Sequence, residues 1–214
     1  MQGIRSKTVT RSAERPWADV SNPIWYTETR MFDYSELVAT AGVDYTHPWV
    51  RDDKRVIVPS GVPVAVDDGG GDARLVFPVK RTALSANVTN TDTDYPVNNT
   101  KPFKVGDTIN IASGTPQAIT AIDHTNKILT VGTTLGQAGT AGDALWTPDK
   151  DTAVGIMVDT VDLTDGTEDV PIGVLVEGYV FPAVIHNSIF EVPAQVLADI
   201  KAANIRVVPS YWTP

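Results

Sequence analysis

Apolar runs broken by polar loops are clearest in the last third of the chain, from Thr152 to Pro209. Ala153 to Val158 is short, apolar and rich in branched residues, and it stops at the polar loop DLTDGTED, Asp162 to Asp169. That length and composition predict a strand buried on both faces. Val170 to Phe181 then reads as two strand pieces bent near Glu177 and Gly178, where the glycine permits a bulge or a sharp turn. Pro193 stands where a first-turn proline is tolerated, and Val196, Leu197 and Ile200 fall on one side of a helix of about three turns. Asn204 ends that helix, and IRVVP, Ile205 to Pro209, reads as a closing strand.

Upstream the pattern is β-like but of a different kind. Arg55 to Val66 holds two strand pieces separated by the turn signal Pro59-Ser60-Gly61, and the polar DDGGGD that follows reads as a loop. From Phe77 to Trp146 threonine, asparagine and glycine are frequent and no helical period is present. Lys104 to Ala112 alternates in part, with Val105, Ile109 and Ile111 as its apolar members. Gln117 to Asp123 and Lys127 to Val131 make a hairpin around His-Thr-Asn, and Gly142 to Trp146 ends the segment. Short strands at this spacing predict a small β-barrel or sandwich. If the strand at Val62 to Val66 belongs with the Ala153 strand, this module interrupts one fold as an insertion in a surface loop, and its two ends then lie close together.

Residues 1–50 pack differently. They carry Trp17, Trp25 and Trp49, three of the five tryptophans, together with Tyr26, Tyr34 and Tyr45, yet few aliphatic residues. Aromatic side chains bury large areas and dominate interfaces, whereas ordering each residue's backbone costs roughly 1–2 kcal/mol. The segment is therefore expected to lie as an extended arm on a partner chain, with residues 1–20 as a floppy tail in the alternative reading. Asp33 with Glu36 three residues later is a capping-box variant, and with Leu37, Val38 and Gly42 it predicts a short helix from Tyr34 to Ala41.

The residues AVGI, then a polar loop, then VLVEGYVFPAVI, resemble the phage head decoration proteins of the lambdoid type. RVIVPSGVPVAVDDG, Arg55 to Gly69, looks like that family's strand before the core, and GDTINI, ITAID, NKILTV and GDAL are similar to small β modules of phage virion proteins. The resemblance implies a mainly β fold: a compact decoration-type domain, β-clip or β-tulip-like, with one C-terminal helix. Laid on this chain, it gives an extended arm over 1–50, the β domain over 51–76 and 148–214, and an inserted barrel or sandwich over 77–147. It further implies a virion protein that is not an enzyme, needs no cofactor, is assembled in the host cytoplasm and sits on the outer surface of a capsid. Its partners would be the major capsid protein and itself, as a homotrimer at threefold or quasi-threefold positions. Trp17, Trp25, Tyr26 and Trp49 are then the expected capsid- or subunit-binding anchors, since buried aromatics carry most interface energy. A carbohydrate- or receptor-binding virion surface module, with the inserted barrel as its adhesive part, is the alternative.

Charge and composition narrow the remaining classes. Seventeen basic against 26 acidic residues give a net charge of −9, which argues against a nucleic-acid surface. The chain has no cysteine, so disulfides, thiolate metal sites and cysteine nucleophiles are excluded together. The start, MQGIRSKTVTRSAERPW, has basic residues but no apolar run behind them, so a secretory leader is not expected, and no apolar run approaches the length that spans a bilayer. His47, His124 and His186 are far apart and lack paired ligand spacing, so turn, surface or interface roles are expected of them. Asp92, Asp94, Asn98 and Asn99 crowd one loop at spacings calcium can use, but an EF-hand's glycine and terminal glutamate are missing, and a turn bonding its own backbone is expected, as it is for DLTDGTED. Ser60-Gly61 and Ser113-Gly114 read as turns, not as a nucleophile elbow, and Gly69 to Gly71 lacks the lysine and helix of a phosphate loop.

Overall fold

A computed structural model describes residues 26–164, 168–180, 198–200, 202 and 205–207. The protein is mainly β and holds a small closed five-stranded barrel. In chain order the strands are β1 (Tyr26–Phe32), β2 (Ile57–Val58), β3 (Pro63–Ala65), β4 (Leu75–Pro78), β5 (Arg81–Ala83), β6 (Asp94–Pro96) and β7 (Thr108–Ile111). They continue as β8 (Gln117–Asp123), β9 (Ile128–Val131), β10 (Ala144–Trp146), β11 (Gly155–Met157), β12 (Val161–Asp162), β13 (Val170–Val180) and β14 (Ile205–Val207).

The first sheet runs β1-β4-β3-β11-β13-β14, and β1 pairs again with β13, parallel to β4 on one side and antiparallel to β13 on the other. That double pairing closes the barrel and removes its edges. β13 is long because it does two jobs: Val170 to Glu177 pair with β1, and Gly178 to Val180 pair in parallel with β14. The ladder slips between Tyr26 and Thr27, which face Glu177 and Leu175, so Val176 is the extra residue of a bulge. The bend expected near Glu177 and Gly178 is thus a bulge and a change of partner inside one strand. β2 and β12 form a separate two-stranded ladder beside the barrel.

The second sheet runs β5-β10-β7-β8-β9-β6. A bridge between Leu84 and Val97, flanked by Ser85 N–H donating to the Pro96 carbonyl and Asn98 N–H to the Ala83 carbonyl, both at 2.9 Å, joins β5 to β6 and closes this sheet as well. Each sheet has its own apolar core. Val62, Val64, Phe77, Ile156, Leu175 and their neighbours fill the first, and Leu84, Tyr95, Phe103, Ile109, Ile119 and Leu145 are among those filling the second. In the second, the buried Tyr95 hydroxyl donates to the Asp92 carbonyl at 2.9 Å and accepts from Leu135 N–H at 3.0 Å, so the turn leading into β6 is pinned from inside.

Three sequence expectations change. Residues 26–50 are not an arm on a partner: β1 is a barrel strand, and Phe32, Leu37 and Trp49 belong to the first core. The segment looked poor in apolar residues because its aromatics pack against valines supplied from Val56 onwards. The helix from Tyr34 to Ala41 shrinks to a 3₁₀ turn, Tyr34–Glu36, with Asp33 accepting from Ser35 N–H at 2.9 Å. The Asp33 N–H that a capping box would give to Glu36 goes to the Val76 carbonyl at 2.9 Å instead, and the glutamate turns elsewhere. The inserted module starts later than residue 77, since Phe77 and Pro78 lie in β4 and Phe77 is buried in the first core. Helical backbone is present at 198–200 and at 202, with Ile200 buried in the first core. Pro193, Val196, Leu197 and Asn204 lie outside the described residues.

Gly155, the glycine of AVGI, is fixed by close approach. A Cβ there would lie 2.4 Å from Val174 Cγ1 and 2.7 Å from the Leu175 carbonyl oxygen, so β11 and β13 pack together only because it is absent. Gly155→Ala is expected to destabilise the protein by about 1–3 kcal/mol in urea denaturation, the range of an overpacked core.

Candidate functional site

The chain crosses between the barrels twice, outward through Val79 and Lys80 and back through Thr147 to Lys150. The crossings hold each other: Lys80 N–H donates to the Lys150 carbonyl at 3.0 Å, and Thr147 N–H donates to the Lys80 carbonyl at 2.9 Å. This pairing brings the ends of the inserted barrel together and fixes the Lys80 side chain, 0% exposed, in the seam between the cores.

A buried ammonium must be paired and hydrogen-bonded. Asp107 comes from the turn before β7, where Gly106 at φ +98° takes a backbone conformation that side chains disfavour. Lys104 N–H donates to Asp107 Oδ2 at 2.9 Å and holds the carboxylate in place. Lys80 Nζ donates to Asp107 Oδ1 at 2.6 Å, to Oδ2 at 2.7 Å and to the Glu36 carbonyl at 2.9 Å. Glu36, from the 3₁₀ turn, adds its carboxylate: Oε1 accepts from Lys150 Nζ at 2.7 Å, while Oε2 lies 2.9 Å from Lys80 Nζ as a charge contact outside hydrogen-bond geometry. The Phe77 ring lies beside both ammonium groups, its centroid 5.9 Å from Lys80 Nζ and 5.5 Å from Lys150 Nζ.

The quartet is neutral, two cations against two carboxylates. Burial works to raise the Glu36 pKa, but the Lys80 charge and the hydrogen bond from Lys150 outweigh it and hold the group at about 2. Lys150 is raised, because its bond and charge contact with Glu36 outweigh its partial burial. Glu36, Thr40, Lys104, Asp107, Thr147 and Lys150 line a cleft of about 350 Å³ that opens onto this cluster. The buried Thr147 Oγ1 has no hydrogen-bond partner among the described residues.

A second polar contact joins the barrels. The His47 and His124 rings meet edge to face, with centroids 4.8 Å apart. His47 Nδ1 accepts from Trp49 N–H at 3.1 Å and Nε2 donates to the Lys101 carbonyl at 2.9 Å, so the neutral ring is held in one tautomer with neither nitrogen open to a metal. His124 reaches Thr100 Oγ1 at 2.9 Å through Nδ1 and Asp44 Oδ2 at 3.2 Å through Nε2. Burial, helped by the neighbouring His124 charge, lowers the His47 pKa to about 4 against the opposing Lys101 carbonyl and Asp44. His124 is also lowered, by burial, with Asp44 opposing.

Of the expected capsid-binding residues, Trp17 and Trp25 lie outside the described residues, as does His186. Tyr26 opens β1 and is 57% exposed. Trp49 is corrected: at 4% exposure it is a core residue, because the 47–50 turn folds back onto Val56 and Ile57, whose N–H donates to the Trp49 carbonyl at 3.0 Å. In DTDYPVNNT, Asp92 takes Thr89 N–H at 2.7 Å as a turn does, but Asp94 lies in β6 and takes the hydroxyl of Thr130 on β9 at 2.6 Å, so part of the expected turn is strand. Among the described residues no group of His, Cys, Asp and Glu is placed to hold a metal ion, and no helix is long and apolar enough to cross a membrane. The quartet was missed, although a lysine inside the apolar run LVFPVKRTA was its signal. The histidine pair had none, its members being far apart in the chain. Comparison with family models, curated proteins and solved structures finds no match for this chain.

Lys80→Met leaves the buried Asp107 carboxylate without its cation and Glu36 with Lys150 alone, and is expected to destabilise the protein by about 3–5 kcal/mol in chemical denaturation, the range for breaking a buried ion cluster. A second expectation concerns pH. His47 is folded neutral with a depressed pKa, so its contribution is full above about 6.5 and lost as pH falls towards 4. Glu36, depressed from 4.5 to about 2, loses its contribution below that window. Urea midpoints are expected to fall between pH 7 and pH 4.5, and His47→Gln is expected to flatten that fall.

Proposed function

We propose that this chain is a capsid decoration protein, binding the outer surface of a phage head as trimers at threefold or quasi-threefold positions and stabilising the shell. The reading rests on the resemblance of AVGI, its polar loop and VLVEGYVFPAVI to lambdoid-type decoration proteins. One observation carries it further: the aromatic segment of Trp17 and Trp25 leads into β1 at Tyr26, and that tyrosine stands open on the surface of the first barrel. An amphipathic ring left in water at the mouth of a tryptophan-bearing segment is what an interface anchor looks like before its partner arrives.

The two-barrel plan supports the same role. A base that carries the docking segment and a second barrel clamped to it by buried charge make a stiff outward projection. A ligand that binds the assembled lattice and not its free subunits stabilises that lattice by mass action.

The experiment is occupancy on expanded heads of the encoding phage, imaged with the wild-type chain and with Trp25→Ala and Tyr26→Ala variants. Both variants are expected to lose occupancy by tenfold or more at unchanged melting temperature, on the order of 1.4 kcal/mol or more per anchor. Trp49→Ala serves as contrast and is expected to unfold the first barrel, at about 3–5 kcal/mol. Undiminished occupancy of both variants, or the absence of threefold density for the wild type, sinks the proposal.

A further inference from the structure

Amide formation between side chains needs an amine shielded from water, a carboxyl in contact with it and a second acid–base group beside them. Lys80 Nζ has all of these: Asp107 Oδ1 at 2.6 Å and Oδ2 at 2.7 Å, Glu36 Oε2 at 2.9 Å, and the Phe77 ring centroid at 5.9 Å. Hydrogen-bonded to both oxygens of one carboxylate, the nitrogen lies in that carboxylate's plane, roughly 3 Å from its carbon, so the pair is at near-attack separation and needs only a turn of the carboxyl about Cβ–Cγ to present its face to the amine. We propose that Lys80 and Asp107 join covalently, as an isopeptide bond between Lys80 Nζ and Asp107 Cγ, with Glu36 as the catalytic proton carrier.

As an ion pair the two groups do not react, since an ammonium has no free lone pair and a carboxylate is a poor electrophile. Separated charge is costly where water is excluded. Moving one proton from Lys80 to Asp107 leaves a neutral amine facing a neutral acid, with the total charge of the site unchanged. The amine lone pair then attacks Cγ, forming the C–N bond as the C=O π bond opens. The Glu36 carboxylate takes a proton from the nitrogen and returns it to the departing hydroxyl, and the C–O bond breaks. One amide and one water result, Glu36 ends as it began, and no oxidant, reductant or activating reagent is consumed.

The surroundings suit each step. Much of what keeps Glu36 a weak base is the Lys80 charge, and that charge is gone once the lysine is neutral. Lys104 N–H, donating to Asp107 Oδ2 at 2.9 Å, is placed to stabilise negative charge on that oxygen as the carbon becomes tetrahedral. Glu36, Asp107 and Thr147 line the cleft, which gives the released water a way out past the unpartnered Thr147 hydroxyl. The bond would tie the strand leaving the first barrel to the β7 turn of the second, across 27 positions of sequence. This holds whether or not the chain is a capsid protein.

The test is the mass of the purified full chain under denaturing conditions, followed by protease mapping. The wild type is expected to be lighter than its sequence by one water, with a branched peptide joining Lys80 to Asp107. Lys80→Met and Asp107→Ala are expected at full sequence mass, and Glu36→Gln, checked for folding by circular dichroism, is expected to lose most of the branched product. A wild-type chain at full mass overturns the proposal, as does a water loss that maps to a linear peptide such as the Asp68-Gly69 cyclic imide. A folded Glu36→Gln chain bonded as fully as wild type removes Glu36 from the reaction.

Discussion

The seam between the two barrels is organised by one constraint: an ammonium with no access to water cannot stand alone. Lys80 lies where two backbone crossings pair, so its side chain has nowhere to go but inward. Asp107 from the β7 turn, Glu36 from the 3₁₀ turn and Lys150 from the returning crossing therefore converge on one point. Each of the three comes from a segment whose local conformation serves that convergence. The Gly106 turn aims Asp107, and the Asp33 cap stops short of a helix, which leaves the Glu36 carboxylate free for the lysines.

The apolar cores play a different part. They share no residue, so each barrel has its own hydrophobic drive to fold, and that drive is indifferent to direction. What relates one barrel to the other is polar: the charge quartet on one side, and the histidine pair with Asp44, Thr100 and the Lys101 carbonyl on the other. Hydrogen bonds and ion pairs are directional, and satisfied buried networks specify geometry more than they add stability. The two contacts follow opposite electrostatic rules, the quartet requiring its charges and His47 requiring its neutrality, yet acid undoes both.

Several elements were legible from residue order alone. The AVGI strand, the 117–131 hairpin and the β pieces around Pro59-Gly61 follow from period-two alternation, branched residues and turn signals, which act over a few neighbours. The misreadings involve distant partners. In sequence Trp49 reads as a partner contact because the valines that cover it come later, and a helix is expected after Asp33 because nothing local announces that Val76 will take the Asp33 N–H.

Sequence by itself thus determined a mainly β protein, acidic and free of cysteine, because strand propensity, turn chemistry and composition are local or additive. Tertiary structure alone decided that both sheets close, that Trp49 is core while Tyr26 is open, and that His47 meets His124. It also decided that four charged side chains from separate segments meet at Lys80. Those outcomes depend on which distant segments come within a few ångströms of one another, and electrostatic and packing energies at that range carry no signature in the local order of residues.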